Sequence, residues 1–321
     1  MPDLRVRVGS LTLPNPVLVA AGTFGYGVEF AKAVRLDALG GLITKTLTRT
    51  PRDGHPPPRL VETPAGMLNA VGLANIGLDA FLREKLPALS AFRMPLIVSV
   101  LGESLEELAE LVRRLDEVQR VEAIELNLSC PNLASPGTWS HFASETGGEM
   151  GPGTELKMVA QDPEATLAMV QAARRTTRKP LIAKLSPDVT DLTPMAQAAE
   201  RAGADAVSVG NTFTGMSLDP QTRRSRLGTT TGGLSGPAIR PLAVYRVWYT
   251  ARSIRLPVIG VGGIVRAEDA VEFFLAGATA VAVGTALFAD PRAPLRVLRG
   301  LERYLRRHQV PSVDALRGAL Q

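Results

Sequence analysis

Ala202-Gly-Ala-Asp-Ala-Val-Ser-Val-Gly210 and Ala276-Gly-Ala-Thr-Ala-Val-Ala-Val-Gly284 are nearly the same phrase written twice. In each, a glycine suited to a helix end precedes a short, apolar, β-branched run, which reads as a helix handing over to a strand buried on both faces. Six further runs of this kind punctuate the chain: Val17 to Ala21, Gly41 to Thr46, Leu96 to Leu101, Ala123 to Cys130, Leu181 to Ser186 and Val258 to Gly263. With Ala206 to Thr212 and Ala280 to Thr285 they make eight. Helix-period segments lie between them, and strands alternating with helices argue for a parallel sheet. Eight such units make a closed (β/α)8 barrel more economical than an open sheet. Upstream, Leu4-Arg-Val-Arg-Val-Gly-Ser-Leu-Thr-Leu13 alternates around a Gly-Ser turn. It predicts a β-hairpin that plugs the bottom of the barrel.

Composition bounds the rest. At about 150 residues per domain the 321 residues would make two domains, but one barrel of ordinary size fits equally well, and a single domain over 1–321 is expected. The chain is 45% hydrophobic, enough for a large core. The single cysteine, Cys130, excludes an intramolecular disulfide framework and any zinc site built on two thiolates of one chain. With only His55, His141 and His308 beside it, a metal centre is not expected. No stretch reaches 18 uninterrupted apolar residues and the amino terminus lacks an apolar signal core, so the expectation is a cytoplasmic protein with no membrane partner. The formal charge of +5 raises the question of nucleic acid. Its arginine pairs (Arg113-Arg114, Arg174-Arg175, Arg306-Arg307) fall within amphipathic patterns that carry glutamates, and they read as solvated helix faces.

The spacing of the runs locates a site. Long loops follow the second, fourth and sixth strands, near 47–75, 131–162 and 212–237. Loops of that length inside a compact domain are usually lids or binding loops, and in a barrel all three rise from the C-terminal face, where active sites of this fold lie. They predict a covered pocket.

The strand ends are polar. The fourth run closes Glu125-Leu-Asn-Leu-Ser-Cys-Pro-Asn132, in which Asn127 and Asn132 offer amides beside the thiol of Cys130. Such a set suits a flat heterocyclic imide with a thiolate taking a proton; a buried structural cysteine is the other reading. Two of only six lysines, Lys45 and Lys184, stand at strand ends, where an ammonium needs an anion or an electron-rich ring. Rim lysines that reach solvent, or a Schiff-base lysine as in barrel aldolases, are the alternatives. Gly260-Val-Gly-Gly-Ile264 and Val283-Gly-Thr285 close the seventh and eighth runs, where this fold commonly holds phosphate on backbone N–H groups and a helix start. They also suit ordinary tight turns.

Taken together and in order, Ile43-Thr-Lys-Thr46, Glu62-Thr-Pro-Ala-Gly-Met-Leu-Asn-Ala-Val-Gly-Leu73, Asn127-Leu-Ser-Cys-Pro-Asn132, Lys184-Leu-Ser-Pro187, Asn211-Thr212, Gly232-Gly-Leu-Ser-Gly-Pro237 and Val261-Gly-Gly-Ile264 resemble class 1 dihydroorotate dehydrogenase, most closely its 1B branch. The resemblance implies an FMN-containing barrel that oxidises dihydroorotate to orotate in pyrimidine biosynthesis. It implies that Cys130 takes a proton from C5 of the substrate while hydride leaves C6 for the flavin. It places FMN against Ala21, Lys45, Thr46, Ser99, Asn127, Lys184, Gly210, Gly236, Gly262, Gly263, Gly284 and Thr285. Substrate falls to Lys45, Asn69, Ala70, Val71, Gly72, Leu73, Asn127, Asn132, Asn211 and Thr212. Ser99 stands where the 1B branch often has asparagine, and the segment from Leu133 to Ala160 is longer than the family's usual loop. The 1B branch also implies a homodimer core joined to an FAD and iron–sulfur subunit in a heterotetramer, whereas the 1A branch is a homodimer that reduces fumarate. A dihydropyrimidine dehydrogenase-like flavin barrel shares the Asn-Leu-Ser-Cys-Pro segment, and a Schiff-base aldolase or a non-catalytic binding barrel are readings from other classes.

Overall fold

The structure is a computed structural model that describes residues 2–128 and 161–321. Its centre is a closed barrel of parallel strands. In chain order the strands of the molecule are β1 (Val6–Val8), β2 (Leu11–Leu13), β3 (Val17–Val19), β4 (Gly41–Ile43), β5 (Leu60–Thr63), β6 (Gly66–Asn69), β7 (Leu96–Val100) and β8 (Ala123–Asn127). They continue as β9 (Leu181–Leu185), β10 (Ala206–Val209), β11 (Phe213–Gly215), β12 (Leu218–Asp219), β13 (Arg224–Ser225), β14 (Gly232–Ser235), β15 (Val258–Val261) and β16 (Ala280–Val283). The barrel runs β3-β4-β7-β8-β9-β10-β15-β16 and closes on β3 through Val281 opposite Val17. With helices between successive strands, this is the (β/α)8 barrel the sequence predicts.

Each of the eight apolar runs contains one barrel strand, and each strand ends before its run does. Thr44 to Thr46, Gly210 to Thr212, Gly262-Gly263 and Gly284-Thr285 lie just beyond the ladder. Thr44 N still donates to the Ile97 carbonyl of β7 at 3.0 Å and Lys45 N to the Gly25 carbonyl at 2.9 Å, while the residues past β15 and β16 lie beyond the ladder pairs.

The outer helices bury one stripe each. In Leu105–Asp116 the buried residues are Leu108, Leu111, Val112 and Leu115, the i, i+3, i+4, i+7 spacing of an amphipathic helix. Ser104 caps it by accepting from Glu107 N at 3.1 Å, and Glu106 and Glu107 lie in the first turn, where the helix dipole favours acids. On its outer face Arg113 pairs with Glu110 at 2.9 Å and Glu117 at 2.6 Å, as expected of a solvated face. Arg174 differs: it reaches inward to Asp205 at 2.9 Å and donates to the Thr177 and Lys179 carbonyls, tying its helix to the start of β9 and β10.

The predicted hairpin is β1 and β2, paired antiparallel with Val6, Val8, Leu11 and Leu13 buried and Arg7 and Thr12 exposed. Its Gly9 turn abuts Asp205, the residue before β10, so the hairpin lies against the N-terminal end of the barrel.

At the other end, two of the long loops are not irregular. The loop after β4 contributes β5 and β6, the loop after β10 contributes β11 and β14, and these form one antiparallel sheet in the order β11-β14-β6-β5. Leu68, Ala70 and Leu227 form a small core for it, with Val61 and Leu234 packed alongside. Gly233 pairs with Asn69 across the middle of this cap, uniting segments far apart in sequence.

Candidate active site

The cavity lies between the C-terminal end of the barrel and the cap sheet. Its volume is about 1140 Å³, counting the part open to solvent. Asn127, the last residue of β8, and Lys184 of β9 are register partners at its floor, and both are buried. Thr46 stands beside them, its Oγ1 accepting from Asn127 Nδ2 at 3.0 Å. Lys45 and Thr46 follow β4, and Lys45 is held by its backbone N–H, which donates to the Gly25 carbonyl at 2.9 Å. Burial pushes the Lys45 ammonium below the usual lysine range, and the Arg59 charge adds to the push. A cation so disfavoured is set to bind an anion or an electron-rich ring.

One wall is glycine backbone. Gly262 and Gly263 follow β15, Gly284 and Thr285 follow β16, and the two strands are parallel neighbours, so the four residues meet at one edge of the cavity. Gly236, from the end of the cap, joins them. Gly263 adopts φ +71°, and a Cβ there would lie 2.8 Å from the Gly236 carbonyl oxygen, so only glycine lets these two backbones meet. The helix after Thr285 runs only Ala286–Ala289. That single turn carries little dipole, and the wall's capacity for an anion lies in its N–H groups.

The opposite wall carries amides. Asn69 lines the cavity while its Nδ2 donates to the Gly233 carbonyl at 3.1 Å across the cap. Asn211 accepts from Thr212 N at 2.8 Å, and both residues line the cavity. Leu73 also faces it, in a left-handed conformation (φ 58°) that is uncommon for leucine. Asn75 holds it there: Asn75 Nδ2 donates to the Leu73 carbonyl at 2.9 Å and to Thr48 Oγ1 at 2.8 Å, and its Oδ1 accepts from Thr48 N and Gly77 N.

Of the sequence-predicted set, Ala21, Lys45, Thr46, Asn127, Lys184, Gly210, Gly236, Gly262, Gly263, Gly284 and Thr285 line this cavity, as do Asn69, Val71, Leu73, Asn211 and Thr212. Ser99, Ala70 and Gly72 do not. Ser99 is fully buried one layer below, its hydroxyl 3.0 Å from both Thr46 Oγ1 and Glu125 Oε1. Ala70 belongs to the cap's own core, and Gly72 backs onto His55. Cys130 and Asn132 lie outside the described residues.

The lining residues outside the predicted set are Ala20, Gly22, Thr23, Leu60, Met67, Ser235, Ile239, Val261 and Phe288. Gly22 and Thr23 directly follow Ala21 past the first barrel strand, so their position was the available signal. Leu60 and Phe288 had none: they are exposed apolar residues from the cap and from beyond the eighth strand. Glu125, fully buried in the barrel interior, was also passed over. Burial pushes its carboxyl up, against the pull of the Lys184 charge and the Ser99 hydroxyl.

A family profile described as dihydroorotate dehydrogenase matches residues 3–145 and 151–305 of this chain. The chain belongs to the dihydroorotate dehydrogenase family. Relatives place it in the 1B branch. It is 48% identical over 320 residues to a protein of Citrifermentans bemidjiense, covering 100% of this chain and 99% of the relative. The identity is also 48% to a protein of Geobacter sulfurreducens with the same coverage, and 45% over 321 residues to one of Thermodesulfovibrio yellowstonii. All three are named dihydroorotate dehydrogenase B (NAD(+)), catalytic subunit. The chain is accordingly an oxidoreductase of pyrimidine biosynthesis that oxidises dihydroorotate. Family membership implies a flavin cofactor. No helix among the described residues is long and apolar enough to cross a membrane.

Proposed function

We propose that the chain is one FMN-binding barrel domain that oxidises dihydroorotate with Cys130 as the base and passes electrons to a partner subunit. The observation that carries this reading is the convergence, in one cavity, of a glycine backbone wall, a buried lysine at the floor and an amide-rich wall under the cap. The donor set fits the mononucleotide. There is one glycine edge for one phosphate, at Gly262, Gly263, Gly284 and Thr285, and no second such edge among the residues of this cavity. Bound there, FMN would supply the two-electron acceptor for the substrate's hydride.

The chain's own residues do the rest. Lys184 places a positive charge at the floor, where it stabilises negative charge on a reduced ring. Asn69, Asn127, Asn211 and Thr212 present amide and hydroxyl groups that suit the edges of a cyclic imide, and Lys45 offers a cation to the substrate. In the sequence Cys130 follows the last residue of β8 by three positions, and catalytic groups of barrels come from the segments that follow their strands. A thiol has an unperturbed pKa of about 8.5, so modest stabilisation of its thiolate makes a usable base near neutral pH. The cap sheet covers part of the cavity.

A cytoplasmic location and an FAD and iron–sulfur partner are part of the same proposal. One cysteine per chain cannot ligate an iron–sulfur cluster of the usual four-thiolate kind, so electrons bound for NAD need another protein. The relatives' name, a catalytic subunit with NAD(+), supports that route. The test is anaerobic mixing of the purified chain with dihydroorotate, followed by NAD and fumarate in turn. We expect released flavin to be FMN, reduction by dihydroorotate but not by dihydrouracil, and slow reoxidation by NAD until the partner is added. Protein that cannot be loaded with FMN overturns the reading, and fast fumarate reduction by the lone chain overturns its partner.

A further inference from the structure

Two glycine segments meet at the glycine wall, and behind it one buried carboxylate joins the chains that carry them. Gly262 and Gly263 follow β15 and lead into the helix Ala267–Leu275. Gly236 follows β14 and leads, through the turn Pro237–Ile239, into the helix Arg240–Ala251. Asp269 stands in the first turn of Ala267–Leu275 and is 2% exposed. Its two oxygens serve different segments. Oδ2 accepts from Val265 N at 2.8 Å and from Arg266 N at 2.9 Å, which fastens the stretch after Gly263 to its own helix. Oδ1 pairs with Nη1 of Arg240, the first residue of the other helix. The glycines mark the other end of the same seam. A Cβ on Gly263 would lie 2.7 Å from Arg240 Cβ, 2.8 Å from the Gly236 carbonyl oxygen and 3.0 Å from Arg240 N. Contact at Gly263 sets how near the two segments can come, and the ion pair is an attraction that holds them there. Neither Arg240 nor Asp269 lines the cavity.

We infer that Arg240 and Asp269 are a positioning pair for the cofactor's phosphate: without touching it, they fix the spacing of Gly236 against Gly262-Gly263, and so the aim of the N–H groups that the wall turns to an anion. The inference rests on the proposed reading of that wall as the phosphate site. Asp269→Asn opens the tie without removing the side chain. Asparagine has one accepting oxygen where the carboxylate has two, so it serves the backbone N–H groups or Arg240 but not both sides. Arg240 then still has Glu272 at hand, whose Oε2 lies 3.4 Å from its Nε. The charges themselves act on a phosphate in opposite senses: losing the Asp269 charge favours an anion and losing the Arg240 charge disfavours it. Lost spacing disfavours it in both cases.

The experiment titrates flavin-free protein, by fluorescence, with FMN and with riboflavin, which has no phosphate. Asp269→Asn and Arg240→Met are each expected to raise the FMN dissociation constant about tenfold, as for one charge-assisted hydrogen bond, and that of riboflavin by less than about twofold. The double variant is expected to lose no more than about twofold beyond the worse single one. Equal losses for both flavins mean a merely structural pair and overturn the proposal. So does FMN binding that is unchanged or tighter in Asp269→Asn, and so do losses that add. Should Arg240→Met not fold, Asp269→Asn decides alone; should riboflavin bind too weakly to titrate, the sign of the Asp269→Asn effect on FMN and the coupling decide. Native protein that prefers FMN to riboflavin while both variants keep that preference refutes only the role of the pair. Native protein that binds FMN no more tightly than riboflavin overturns the underlying reading of the wall.

Discussion

Gly284→Ala is expected to leave the FMN-free fold intact and to weaken FMN binding. A Cβ built at this position meets nothing nearer than Ala20 Cβ at 3.5 Å and Thr23 Cγ2 at 3.7 Å, which is ordinary contact, and the backbone is outside the left-handed region. Alanine also lowers the entropy of the unfolded chain, so the FMN-free protein should hold its stability or gain up to about 1 kcal/mol. Gly263→Ala is the contrast. Its φ of +71° and a Cβ 2.7 Å from Arg240 Cβ force strain before any ligand binds. The cost there is about 2–4 kcal/mol. If phosphate rests on the amides beside Gly284, the added methyl holds it off and removes one or two charge-assisted hydrogen bonds of about 1.5–3 kcal/mol each. At 1.4 kcal/mol per factor of ten, a total loss of about 1.5–6 kcal/mol raises the FMN dissociation constant about tenfold to ten-thousandfold. The assay is fluorescence titration of flavin-free protein with FMN, alongside its thermal unfolding. A variant that binds FMN within about threefold of the native protein means that no phosphate approaches Gly284. A variant whose FMN-free form melts lower makes Gly284 a packing residue.

Cys130→Ser should keep FMN yet slow flavin reduction by dihydroorotate about 10²–10⁴-fold at neutral pH, with part of the rate returning as pH rises; stopped-flow reduction as fast as the native enzyme's removes Cys130 as the base. Lys184→Met should lower the flavin reduction potential and, by leaving Glu125 buried without its counter-charge, destabilise the fold by about 3 kcal/mol. Adding Glu125→Gln should restore most of that stability but not the potential, and redox titration with urea unfolding of the three proteins checks both statements. Asn75→Ala, which deletes the bonds that hold Leu73 and Thr48, should cost about 2–4 kcal/mol. It should raise the KM for dihydroorotate more than it lowers the maximal rate, and a rate loss at unchanged KM would count against a substrate-side role for Leu73.

The barrel was legible because its strands are buried on every side and their apolar runs stand out between helices. Much of the cavity's lining was legible for a related reason: residues that interrupt an apolar run at its C-terminal end, such as Lys45, Asn127 and Lys184, have no core role to explain them. The cap was not. Gly66–Asn69 and Gly232–Ser235 have little intrinsic preference for strand, and they become strands because each finds the other, a pairing between distant loops that no local pattern announces. Alternation also misled within the motif at 66–73. Asn69, Val71 and Leu73 line the cavity and Ala70 and Gly72 do not, so only part of that contiguous stretch borders it. Ser99 was expected to reach the flavin, but its hydroxyl already bridges Thr46 and Glu125. Glu125 was readable from its parity with Asn127, since residues two apart on a strand share a face.

The cap also explains how two distant loops come to act on one ligand. Asn69 is the register partner of Gly233, and its Nδ2 is committed to the Gly233 carbonyl. One end of a substrate-side amide is thus oriented by the loop after the sixth barrel strand, just as the floor amide of Asn127 is oriented by Thr46 from the loop after the second. A cavity built this way keeps its donor and acceptor pattern only while cap and barrel stay in register, because a slip of β14 by one residue would withdraw the Gly233 carbonyl and turn the inward faces of the pair outward. The glycine at 233 allows this register: a Cβ there would lie 2.0 Å from Thr212 Oγ1 and push β14 off the wall that Asn69 and Thr212 share.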